Sequence, residues 1–133
     1  MTNVTASHAA YRRGTVLAAT PGQLVVLLYD GARRFLRQAA IAMRDGEVER
    51  AHTTLRHGER IISHLDATLD FEQGDIAQHL HSIYLFCLRD LHAARIRQDP
   101  SKIEAVSELL GELREAWSQV VAEVERGAEV GQR

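Results

Sequence analysis

The sequence predicts an all-α fold, an antiparallel four-helix bundle with an N-terminal arm placed to cap a surface groove. Three observations predict it. Along four segments, apolar residues recur in alternating steps of three and four, the period of one helix face. Thr20-Pro21 and Asp99-Pro100 each set a capping side chain directly before a Pro, the arrangement of a helix start. Pro occurs only twice in 133 residues and aromatic residues make up 5% of them, so little in the composition breaks helices or favours strands.

Residues 1–19 show no sustained period and are small or polar apart from Tyr11, Val16 and Leu17; they are expected to form a loosely held arm. The first helix should open at Thr20-Pro21, run to Arg44 and stop at the turn-forming pair Asp45-Gly46. Leu24, Leu28, Phe35 and Ala39 lie on one line of it, with Val25, Val26, Leu27, Leu36 and Ile41 off that line. Gly31 falls on the same core line, where Gly costs about 1 kcal/mol against Ala. Close approach of a neighbouring helix or of the arm would explain it. Asp30 beside it either accepts backbone N–H groups from the arm or is simply exposed.

The second helix is expected over Glu47 to Thr68, with Val48, Ala51, Leu55, Gly58, Ile62, Leu65 and Leu69 as its seam. A polar stretch from Asp70 to Asp75 separates it from a third helix running to about Gln98. That helix has Ile76, Leu80, Ile83, Cys87, Leu91 and Ala94 as its inward stripe, widened by Tyr84 and Leu88. The fourth follows Asp99-Pro100 with Ile103, Val106, Leu110, Leu113, Trp117, Val120 and Val124, and is expected to fade at Gly127. The organisation is therefore an arm (1–19), a bundle (20–127) and a polar tail (128–133). Short connectors make consecutive helices antiparallel. A three-helix core with a peripheral helix is the alternative packing.

Several function classes are excluded. The formal net charge of -2 gives no field to attract nucleic acid or an anionic membrane. Arg12-Arg13 and Arg33-Arg34 are too small a footprint for nucleic acid, and stacking aromatics are lacking. Cys87 is the only cysteine, so no intrachain disulfide forms, as suits a cytoplasmic protein. No apolar run approaches the roughly 20 residues of a membrane span. Met1 to Ala10 lacks the basic start and apolar stretch of a signal peptide.

No nucleophile, phosphate-loop or dinucleotide motif occurs, so the chain is not expected to be an enzyme. The seven histidines are His8, His52, His57, His64, His79, His81 and His92. No two are three or four apart, the spacing a helical metal site uses, so no metal and no cofactor is expected.

The apolar faces are wider than one bundle core requires. Ile61 stands beside Ile62, and Leu85 and Phe86 flank the third stripe. A helix apolar over more than one stripe meets more than one neighbour. The excess is either a groove or oligomer interface, or partly covered surface of an ordinary kind. The arm, carrying Tyr11, Val16 and Leu17, could lie in such a groove until a partner displaces it.

The run Leu17-Ala18-Ala19-Thr20-Pro21-Gly22-Gln23-Leu24, continued through Tyr29-Asp30-Gly31-Ala32-Arg33-Arg34-Phe35-Leu36, resembles the flagellar secretion chaperone FliS family. So do Leu69-Asp70-Phe71-Glu72-Gln73-Gly74 with Ile76-Ala77, Leu80 and Ile83-Tyr84, and Leu113-Arg114-Glu115-Ala116-Trp117. Tyr11 is similar to the family's N-terminal Tyr. Together these cover residues 11 to about 121 in the family's order. Departures are a Gly74-Asp75 stretch one residue shorter than in relatives, and an arm, Ser7-His8-Ala9-Ala10, without a large apolar residue.

The resemblance implies a cytosolic export chaperone. It would bind the C-terminal segment of flagellin, prevent premature polymerisation and deliver it to the flagellar export gate. On that reading Leu28, Phe35, Ile61, Leu65, Ile83, Tyr84 and Leu88 supply core and groove lining. Tyr11 and Leu17 form the displaceable cap, and Tyr29-Asp30-Gly31 anchors the arm. The implied partners are the flagellin segment and export-gate components, with a homodimer as a further candidate association. The rival readings are a helical oligomerisation module and a metal-binding bundle.

Overall fold

The computed structural model describes residues 20–131. The arm, with its candidate cap residues Tyr11 and Leu17, lies outside the described residues. Four helices follow: α1 (Pro21–Arg44), α2 (Val48–Ala67), α3 (Asp75–Arg97) and α4 (Pro100–Gly131), with a 3-10 turn at Phe71–Gln73 before α3. The fold is an all-α four-helix bundle.

Each start and stop has a local cause. Thr20 caps α1 through a reciprocal box: its hydroxyl accepts from the Gln23 amide at 3.2 Å, and the Gln23 side chain accepts from the Thr20 amide at 3.1 Å. Gly46, at φ +76°, turns the chain out of α1. Gly74, at φ +83°, precedes α3. Gln98 adopts the left-handed conformation that closes α3, and its side chain donates to the Arg95 carbonyl. Asp99 then accepts from the Ser101 amide and starts α4.

Cross-helix pairs set the antiparallel register. Between α1 and α4 they run Gln23 to Glu125, Asp30 to Arg114, Arg33 to the Ser107 carbonyl and Arg44 to Glu104. Between α2 and α3 they run His52 to Gln98, Glu59 to Arg95 and Asp66 to His81. Helix α1 packs along both α2 and α4, and α3 closes the opposite side against the same two helices. The diagonal α1–α3 pair meets at Tyr29 and Tyr84, whose hydroxyls bond at 2.5 Å inside the core.

The core is built from Tyr29, Ala32, Leu36 and Ala39 of α1, Leu55, Ile62 and Leu65 of α2, Tyr84, Cys87 and Leu91 of α3, and Ile103, Val106 and Leu110 of α4. Burying each large aliphatic among these stabilises the fold by about 1.5–3 kcal/mol. Ala39 is enclosed as expected, but ahead of it the core line of α1 is displaced by one residue from the expected Leu24–Leu28–Phe35 stretch. Those three are only partly buried, while Tyr29, Ala32 and Leu36 are fully enclosed. The cause is that α1 has two partners, α2 and α4, so its centre of burial falls between two apolar lines.

Other expectations are corrected at helix ends. Ile76 is 70% exposed and Ala77 is the buried residue there, because the 3-10 turn before α3 rotates its first turn. Val48, Val120 and Val124 are exposed although their stripes continue inward. Val120 and Val124 are exposed where α4 turns its partly buried Val121 to the start of α1. Helix α4 also continues past Gly127 to Gly131, since one Gly among Ala and Glu costs too little to end a helix.

Among the described residues no neighbouring helix approaches Gly31 closely, whereas Gly22, Gly58 and Gly111 each meet a neighbour's side chain at close range. A Cβ on Gly31 would meet Ile61 at an ordinary 3.4 Å, whereas one on Gly58 would lie 2.9 Å from Leu36.

Candidate functional site

At the end of the bundle where the chain enters α1, the helices do not close completely. They leave a cleft of about 250 Å³. Each helix contributes: Val25 from α1, Leu65 and Leu69 from the end of α2 and the residues after it, Ile76, Leu80 and Tyr84 from α3, and Trp117 from α4. The wall is apolar, and Phe71 and Ile76 stand exposed at its edge.

Polar contacts hold the edge in place. Asp66 on α2 and His81 Nδ1 on α3 lie 2.6 Å apart. The Phe71 ring meets the His81 ring edge-on, with centroids 5.7 Å apart. Asp70 accepts from the Glu72 amide at 3.0 Å and shapes the 3-10 turn.

Beneath the cleft lies the tyrosine pair. Burial pushes both phenols above the usual tyrosine range, and for Tyr84 the bond from Tyr29 pushes further in the same direction. Burial, with a smaller contribution from Asp90, pushes the Cys87 thiol up to about 11. These groups are neutral at physiological pH, so the cleft floor carries no charge and no activated nucleophile. Among the described residues, no group of three or more His, Cys, Asp or Glu could hold a metal ion. Among the same residues no helix is long and apolar enough to cross a membrane.

The structure distributes the expected binding residues over three places. Leu65 and Tyr84 line the cleft. Leu28, Ile61 and Ile83 are partly buried against the core, and Phe35 stacks on His57 of α2 with centroids 5.1 Å apart. Leu88 lies in a second, shallower trough on the outer side of α3.

Tyr29 is corrected: at 0% exposure it is core, locked there by the Tyr84 hydroxyl. Asp30 accepts from Arg114 Nε at 3.0 Å, which raises the pKa of that guanidinium. Its partner among the described residues is α4. The reading missed Val25, Leu69, Ile76, Leu80 and Trp117 as cleft lining. Their signal was present, since all five are apolar: Val25, Ile76 and Leu80 stand in the first turns of their helices, Leu69 just after α2, and Trp117 midway along α4. Only the offset of the helix ends decides that they border a gap.

The described residues form an all-α bundle with a largely apolar cleft at one end, Asp70 at its lining, an open surface of the kind that takes up apolar partners. The same frame occurs in a solved structure described as a flagellar chaperone from bacteria, with a TM-score of 0.73 at 15% identity over 88% of this chain and 98% of that one. The chain belongs to the family of flagellar protein FliS, whose model matches residues 2–124.

It is 37% identical to the flagellar secretion chaperone FliS of Salmonella typhimurium (strain LT2) over 79% of both chains. With that of Bacillus subtilis (strain 168) it shares 31% identity over 86% of this chain and 85% of the relative. It is accordingly a flagellar export chaperone.

Proposed function

We propose that the chain binds the C-terminal segment of flagellin in the cytosol, keeps it from polymerising, and presents it to the gate of the flagellar export apparatus. The supporting observation is the apolar cleft contributed to by all four helices, with Phe71 and Ile76 exposed at its edge. A disordered segment with apolar residues at helical spacing would gain helix as it buries that face, and the contact must offset its ordering entropy. Residues 1–19 lead directly into Thr20, beside the cleft. In this reading Tyr11 and Leu17 cover the apolar wall until a client displaces them. No nucleotide or metal is required for holding.

The test mixes the folded chain with a synthetic flagellin C-terminal peptide. A one-to-one complex with more helix by circular dichroism than the sum of its parts is the expected result. Failure to bind while the chaperone is folded would defeat the proposal.

A further inference from the structure

A second apolar surface lies away from the cleft, on the outer face of α3. Two rows of side chains at i, i+4 spacing run side by side there: Leu85–Arg89–Ala93–Arg97 and Leu88–His92–Ile96. The trough between them is apolar along its floor. Arg89, His92 and Arg97 stand exposed on it with no ion pair among the described residues, and Ile96 is 69% exposed.

The complementary surface is on the same molecule. On its outer face, toward its C-terminal end, α4 carries a ridge at i, i+4 spacing, Ala116–Val120–Val124–Ala128, all exposed, with Val124 at 66%. Glu123 flanks that ridge without a partner among the described residues. Helix α4 as a whole carries seven Glu against only Lys102, Arg114 and Arg126. An i, i+4 ridge fits the groove between two i, i+4 rows, the commonest way helices pack.

Trough and ridge cannot meet within one chain. The trough lies at the α3–α4 connection and the ridge at the opposite end of the bundle. A two-fold axis brings the trough of one copy onto the ridge of another, and the reverse, so both contacts form at once.

We infer that the outer face of α3 docks the exposed C-terminal ridge of α4 from a second copy of this chain, forming a reciprocal dimer in which Arg89, His92 and Arg97 of one copy face the acidic flank of the other. The inference is independent of the client reading, because it uses neither the cleft nor a flagellin peptide.

Sedimentation velocity of the full chain over a range of concentrations tests it. A monomer–dimer equilibrium that weakens with added salt is expected. R89E/R97E and E123R should each weaken dimerisation about tenfold or more, since symmetry doubles every mispaired charge. Mixing those two variants should restore a dimer, because each trough then meets a ridge of opposite charge. V124D, at an exposed site, should give a folded monomer with unchanged helicity.

A chain that is monomeric at every concentration overturns the inference. So does a dimer indifferent to both E123R and V124D, or a mixture that restores nothing. A monomer in which R89E/R97E lowers affinity for the flagellin peptide would assign the trough to the client and likewise overturn it.

Discussion

Gly58 has a packing role that its helix propensity hides. Its missing Cβ lets Leu36, itself fully buried, approach the α2 backbone. Gly58→Ala gains about 1 kcal/mol of propensity but overpacks the α1–α2 contact by about 1–3 kcal/mol, for a net loss on the order of 1 kcal/mol. Gly127 has nothing within 4 Å of its would-be Cβ, so Gly127→Ala should stabilise by about 0.5–1 kcal/mol. Opposite shifts in the urea midpoint would confirm the contrast.

The buried hydroxyl pair gives a second residue-scale prediction. Tyr29→Phe leaves the Tyr84 hydroxyl enclosed without its partner, at a cost of about 1–3 kcal/mol, while the double Phe variant should cost less than the two single changes summed. Both folded phenols lie above the unfolded value of 10.0. Their contribution to stability is therefore complete below about pH 10 and is lost as pH rises beyond it. Unfolding curves recorded from pH 8 upward should show that decline, and the Phe pair should flatten it.

Cys87, with its thiol raised from 9.0 to about 11 and no exposure, should react at pH 8 on the order of 100-fold more slowly with a disulfide reagent when folded than when denatured. Equal rates would show that the core opens freely.

At the scale of elements, helix boundaries follow capping chemistry, while helix faces follow the neighbours. The Thr20–Gln23 box was legible as Thr-Pro followed by Gln at the third helical position. Thr20→Ala should remove about 1 kcal/mol, measurable by thermal unfolding, whereas Thr20→Ser should be nearly neutral. Helix α4 shows the other side. Its apolar spacing runs unbroken from Ile103 to Val124, yet Val120 and Val124 are exposed, while Val121, beside the start of α1, is partly buried. Periodicity records which positions share a face, and only the placement of the other helices records whether that face is covered.

At the scale of the molecule, four helices of unequal length leave apolar surface at both ends. The cleft opens where α1 begins and α2 ends, so its wall is assembled from residues as distant in sequence as Val25 and Trp117. Because Ile76 is exposed and makes little of the core, Ile76→Glu should leave the melting temperature almost unchanged. It should weaken capture of the flagellin peptide about tenfold, through a charge placed on the apolar edge. Unchanged affinity in a titration would move the client elsewhere on the surface.

The sequence by itself determined the helix number, the boundaries within a residue or two except at the end of α4, and the inward positions of α2 from Ala51 to Leu65, because caps, turns and period are local chemistry. It also carried the resemblance to the flagellar chaperones, since those motifs are contiguous runs. Tertiary structure alone decided that Tyr29 rather than Leu28 is core, that Leu36 closes on Gly58 while Gly31 meets Ile61 only at an ordinary distance, and that Ile76 borders a cleft. Each depends on how far a second helix extends and at what angle it lies. That is settled by packing among residues tens of positions apart, and no local pattern encodes it.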